Sequence, residues 1–113
     1  MNQPYHQNNG FTEEDWRLFS SKIGGWQENY MNRLNEEYLK ILMQNETPSE
    51  KFWAIEKRIK IDKKKVGVTI DLRRSTMLMN ILDLLNDKVI EMDDLSDFSD
   101  TLKETIKLFK KDS

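Results

Sequence analysis

Eight apolar side chains, Trp16, Phe19, Ile23, Trp26, Tyr30, Leu34, Tyr38 and Ile41, recur at spacings of three and four. That period places them on one stripe of a single long amphipathic helix. Such an aromatic stripe must be covered by other helices or by a partner, so the rest of the chain is constrained to supply that cover. Its 113 residues suit one domain, and 37% hydrophobic content is enough for a compact core. Thr12 is placed to cap the helix, with Glu13, Glu14 and Asp15 in the turn where unpaired backbone N–H groups collect. Gly24-Gly25 interrupts good helix formers at a cost of about 1 kcal/mol per glycine relative to alanine. The stripe nevertheless keeps its phase from Ile23 to Trp26, so one helix is retained. The pair is read as a notch admitting a neighbouring helix, in preference to a kink joining two shorter helices.

A second helix is announced by Thr47, Pro48 and Glu50, the N-cap, first helical residue and reciprocal acid of a capping box. Phe52, Ile55 and Ile59 form its expected inward stripe, Lys57, Lys60 and Lys64 its outer face, and it ends before Gly67. The short connection after residue 44 predicts an antiparallel hairpin with the first helix. Val66, Val68, Ile70 and Leu72 alternate with period two, which suits a short strand over 66–72 or an extended connector. A third helix starts near Ser75, with Leu78, Ile81, Leu82 and Leu85 inward, and ends at Asn86-Asp87. Ser99-Asp100 caps a last helix carrying Leu102, Ile106 and Phe109. The expected fold is mainly α: a small helical domain over residues 11–113, with a long N-terminal hairpin and about four to five helices. Residues 1–10, polar and rich in Gln and Asn, are expected to be a disordered tail.

Several function classes lose their equipment at this level. The chain has no cysteine, hence no disulfide framework, thiol nucleophile or thiolate metal site. Its apolar runs reach four residues, at 52–55, against the roughly 20 needed to span a bilayer, and the N-terminus lacks a secretory signal, so a cytoplasmic protein is expected. The sole histidine, His6, lies in the tail, and neither a phosphate-cradling glycine loop nor a nucleophile motif occurs. Paired acids such as Glu13-Glu14 and Glu36-Glu37 are read as caps and solvated surface. Asp94, Asp97 and Asp100 recur every third residue without the glycine and closing glutamate of a Ca²⁺ loop. The reading is therefore not an enzyme, with no catalytic residue, cofactor or metal ligand assigned.

In the segments DWRLFSSKIGGWQENYM, PSEKFWAIEKRIK and DLSDFSDTLKE the chain resembles small bacterial proteins of about this length that carry the label "multidrug transporter". The resemblance covers residue 11 to about residue 109. It implies a recurring small soluble module, an accessory protein of mobile elements or phages. It supplies no catalytic residues, and transport activity does not follow from it because a spanning segment is missing.

Charge offers the remaining signal. Lys57, Arg58, Lys60, Lys63, Lys64 and Lys65 surround one acid, Asp62, and Arg73 and Arg74 follow in sequence, although the net charge is only −2. Such a cluster can neutralise nucleic-acid phosphates, with Trp53 stacking on an unpaired base. Against this, lysines at a helix end complement its dipole, and Trp53 is expected to pack between helices. The segment from Val66 has the element order of ribbon-helix-helix DNA-binding proteins, but Asp71 would then point at the bases. The acids Asp83, Asp87, Glu91, Asp93, Asp94, Asp97 and Asp100 form a counterpart suited to binding a basic protein or imitating a phosphate backbone, against which stands a role in capping and solvation. The preferred expectation is a non-enzymatic protein-interaction or accessory module. Trp16, Trp26 and Trp53 are its candidate anchors, and its partner is an unknown protein or a second copy. Nucleic-acid binding through the basic cluster is the alternative.

Overall fold

The computed structural model describes residues 10–112, which form four α-helices and two short 3₁₀ turns. Helix α1 spans Glu13–Leu42, α2 Pro48–Asp62, α3 Met77–Asn86 and α4 Asp100–Asp112; the 3₁₀ turns are Arg74–Thr76 and Met92–Leu95. The mainly helical fold expected from the sequence is what the chain adopts. Both anticipated N-caps form, and Thr12 makes a capping box with Asp15 as Thr47 does with Glu50. The Asp15 amide donates to Thr12 Oγ1 at 3.0 Å while the Thr12 amide donates to Asp15 Oδ2 at 2.9 Å. The Glu50 amide donates to Thr47 Oγ1 at 3.2 Å, and the Thr47 amide donates to Glu50 Oε1 at 3.0 Å. Each box satisfies backbone donors that a helix start otherwise leaves unpaired.

The core sits around the N-terminal two thirds of α1. Phe19, Ile23, Tyr30 and Leu34 from its stripe meet Met77, Ile81, Leu84 and Leu85 of α3 and Leu102 and Ile106 of α4. Val89, Ile90, Leu95 and Phe98 close it from the α3–α4 connection. Complete burial of side chains of this size stabilises by roughly 1.5–3 kcal/mol each.

Two polar devices register the helices. Asp15, only 2% exposed, caps its own helix and also accepts from the Ser99 amide (2.9 Å) and the Ser99 hydroxyl (2.6 Å). Ser99 in turn accepts from the Leu102 amide at 3.1 Å, so one carboxylate fixes the starts of both α1 and α4. At the end of α3, Lys88 takes the left-handed conformation (φ 59°), and the Val89 and Lys88 amides turn back to the carbonyls of Leu84 (2.8 Å) and Leu85 (3.1 Å). This is the Schellman closure, with Lys88 at the position that usually favours glycine. Arg33 of α1 reaches the Lys88 carbonyl at 2.8 Å and brings a cation to the negative end of α3.

Several expectations are corrected. Residues 66–72 form no strand, and there is none among the described residues. The chain turns instead, the Lys65 carbonyl accepting from the Val68 and Thr69 amides, both at 2.9 Å. The alternation has no second edge to pair with, and Val66 is drawn into the core. Gly67 lies against the Tyr30 ring, and a Cβ there would clash with Tyr30 Cδ2. The close approach expected at Gly24-Gly25 thus occurs at Gly67. The helix runs through the glycine pair without interruption, but neither glycine has a neighbour within 4 Å of its Cβ position, so no helix packs in a notch there. Of the apolar residues carried by α4, Leu102 and Ile106 are buried and Phe109 is exposed. Of the expected tail, only Gly10 falls among the described residues; it is buried, with φ 89°. Residues 1–9 lie outside them.

Candidate functional site

Beyond Leu34, α1 has no fully buried residue; Tyr38 still packs half-buried against the core, and α2 lies alongside at Glu37 and Tyr38. α1 has 30 residues, about 45 Å at 1.5 Å per residue, and its distal part with α2 makes a helical arm. Within α2 the residues that are not exposed are Lys51, Ile55, Arg58 and Asp62, spaced four, three and four apart on one edge. That edge is largely polar. Asp62, 2% exposed, accepts from Tyr38 Oη at 2.7 Å and lies 3.3 Å from Arg58 Nη2 and 3.7 Å from Lys65 Nζ. Arg58 also meets Glu37 Oε1 at 2.6 Å, and its guanidinium stands 5.6 Å from the centre of the Tyr38 ring. A charged clasp therefore holds α2 against α1, its buried carboxylate accepting from two donors and lying beside the Lys65 ammonium.

Apart from half-buried Ile55, the large apolar residues of α2 consequently look outward, which overturns the expected inward stripe at Phe52 and Ile59. Phe52 is 63% and Trp53 60% exposed, and their rings meet edge to face with centroids 5.0 Å apart. Ile59 and Ile61 are exposed too, as are Leu39 and Leu42 on α1 and Met43 at its C-cap. Leu42, Phe52, Ile55, Glu56, Ile59, Lys60 and Lys63 line an open groove of about 440 Å³. Trp53 is thus not packed between helices. The physical reason lies in α1, which offers α2 a carboxylate and a phenol at Glu37 and Tyr38 and so selects the edge bearing Arg58 and Asp62.

The other two tryptophans belong to the margin of the core. Trp26 is half-buried, its ring centroid 6.0 Å from that of Phe19 and 6.4 Å from that of Phe98. Trp16 is half-buried beside Phe19, with the Arg74 guanidinium 5.3 Å from its ring centre. The three tryptophans do not converge on one surface.

The basic cluster divides in the same way. Arg58 and Lys65 are engaged by Asp62, Arg73 by Asp71 (Nε to Oδ1 3.0 Å) and Arg74 by Glu13 (2.6 Å). The Glu13 pairing places Arg74 at the far end of α1 from the Arg58–Glu37 contact, about 36 Å along the helix. Lys57, Lys60, Lys63 and Lys64 are exposed on α2 and its C-terminal extension and make no ion pair among the described residues. With Trp53, two of them follow a single stripe of α2, Trp53, Lys57 and Lys60, while Lys64 stands in the turn after the helix.

On the acidic side, Asp94 caps the Glu91 amide at 2.8 Å, and Asp83 and Asp87 border a polar cleft with Lys64, Lys65 and Asn80. Among the described residues no group of three or more His, Asp or Glu side chains is placed to hold a metal ion. No helix there is long and apolar enough to cross a membrane.

Burial, followed by the hydrogen bond to Asp62, raises the Tyr38 phenol from 10 to about 12. A phenol whose folded pKa exceeds its unfolded value contributes stability that is complete below pH 10 and lost as pH rises through 12. The clasp is therefore expected to weaken between those limits. A wild-type minus Tyr38→Phe difference titration at 295 nm checks this: a midpoint near 12 is expected, and one near 10 would mean a solvated phenol.

No protein-family model, curated protein or solved structure matches the chain. Sequence reasoning missed the outward turn of α2, the Asp15–Ser99 link and the Arg33 cap. Only the first had a signal: Arg58 and Asp62 stand one turn apart, on the edge that shares Ile55 with the apolar stripe.

Proposed function

We propose that the protein is a non-enzymatic, cytoplasmic protein-interaction or accessory module that binds a partner helix along the outer face of the α1–α2 arm. The observation that carries this reading is α2 itself, which packs a charged edge inward and leaves Phe52, Trp53, Ile59 and Ile61 to solvent. Contiguous exposed apolar surface rimmed by polar residues is characteristic of interaction sites. Aromatic residues on such a surface supply most of the binding free energy. Trp53 is the anchor of this reading, whereas Trp16 and Trp26 serve the core margin. A role beside mobile elements is what the family resemblance implies for its setting.

The test is affinity capture from a nuclease-treated lysate of the source cell, with wild type and a Phe52→Ser/Trp53→Ser variant in parallel. A defined protein recovered by wild type and lost with the variant is expected. Equal recovery by both, or none by either, would sink the reading.

A second reading rests on the stripe of Trp53, Lys57 and Lys60 along α2, with exposed Lys64 in the turn that follows, which suits a single-stranded nucleic acid through stacking and phosphate contacts. It predicts recovery that disappears with nuclease, together with salt-sensitive binding lost on charge reversal of Lys57, Lys60 and Lys64.

A further inference from the structure

The groove on the arm has a chemistry that discriminates among helical partners, and the inference drawn from it rests on the interaction reading above. Its floor is apolar, built from Leu42, Phe52, Ile55 and Ile59, and its rim carries Lys60, Lys63 and a single acid, Glu56. Neither lysine is paired with a carboxylate among the described residues, whereas Arg58 on the opposite edge is paired twice. Residues 48–65 hold seven basic and three acidic side chains in a chain of net charge −2. We infer that the arm binds an acidic amphipathic helix, which lays a leucine-type stripe on the groove floor and presents its flanking carboxylates to Lys60 and Lys63.

Three physical points single out this occupant. A partner helix in an apolar groove is read through anchors at i, i+3 or i+4 and i+7, the spacing of Phe52, Ile55 and Ile59 on the wall that receives it. Unpaired lysines at the rim attract an acidic partner and repel a basic one, giving orientation and partner choice more than raw affinity. A second copy docked through the same face would set Lys60 and Lys63 of both chains around one groove, a like-charge juxtaposition that opposes self-pairing.

The probe is a labelled helical peptide of about 18 residues, with leucine at i, i+4, i+7 and i+11 and glutamate on both flanks. Its counterpart carries lysine in place of each glutamate. Fluorescence anisotropy against the full chain is expected to show the acidic peptide binding at least about 10-fold tighter than the basic one, with the difference shrinking as salt rises. Lys60→Glu/Lys63→Glu should reverse that preference, and Phe52→Ser/Ile59→Ser should abolish binding of both peptides. Unchanged circular dichroism of the variants excludes unfolding as the cause.

Equal binding of the two peptides, or stronger binding of the basic one, overturns the inference. So does binding of a 12-nucleotide oligothymidine in place of the peptide, or concentration-dependent self-association that Phe52→Ser/Ile59→Ser removes. Absence of peptide binding while a captured protein still depends on Phe52 and Trp53 rejects the acidic helix and leaves the interaction reading standing. Absence of both rejects both.

Discussion

Asp15→Ala is expected to destabilise the fold by about 3 kcal/mol, because a nearly inaccessible carboxylate is the acceptor for both the start of α1 and the start of α4. The Thr12 amide, the Ser99 amide and the Ser99 hydroxyl all lose their acceptor together. Each donor left unpaired away from water costs about 1–3 kcal/mol, and partial solvation of the two helix starts holds the sum near the stated figure. Thermal unfolding followed by circular dichroism should show a midpoint lowered by more than about 10 °C in a domain of this size. Asp15→Asn keeps one oxygen acceptor and should fall between wild type and alanine. A loss below about 1 kcal/mol for the alanine variant would mean that water replaces the carboxylate and that Ser99 caps α4 unaided.

The second large effect is a contrast between aromatic residues of the two regions. Phe19→Ala removes a completely buried ring from the centre of the core and is expected to cost about 3–5 kcal/mol. Phe52→Ala and Trp53→Ala remove rings that stand mostly in water and should each change stability by less than about 0.5 kcal/mol. Urea unfolding of the three variants is the measurement. A cost at Phe52 or Trp53 approaching that at Phe19 would mean that the outer face of α2 is covered in the free protein, and with it the argument for an open groove fails.

The sequence carried what is local. Thr12 and Thr47, each followed three residues later by an acid, announced both long helices because a capping box is completed within one turn. The stripe from Trp16 to Ile41 was legible because α1 has one buried face whose period extends over many turns. What escaped is decided across the chain. The phase of α2 is contested between two edges that share Ile55, one apolar through Phe52 and Ile59, the other charged through Arg58 and Asp62. The contest is settled by Glu37 and Tyr38, residues of another helix. Periodicity assumes that the apolar edge is buried, and here a satisfied carboxylate outweighs it. The alternation over 66–72 failed for a related reason, since a strand needs a partner that no local pattern can announce. The lysine cluster was visible as a set of cations, but their division followed contacts as distant in sequence as Arg74 to Glu13.

The separation between core and arm also bears on how such a protein can change over generations. Most substitutions are filtered by a stability threshold, and residues that serve both folding and recognition can vary only along narrow paths. Here the threshold is met by α3, α4 and the proximal part of α1, while Phe52, Trp53, Ile59 and the unpaired lysines are nearly free of folding duty. On the interaction reading proposed above, one fold is retargeted by a handful of changes on α2. The positions freest to drift among descendants are then those that this reading assigns to binding.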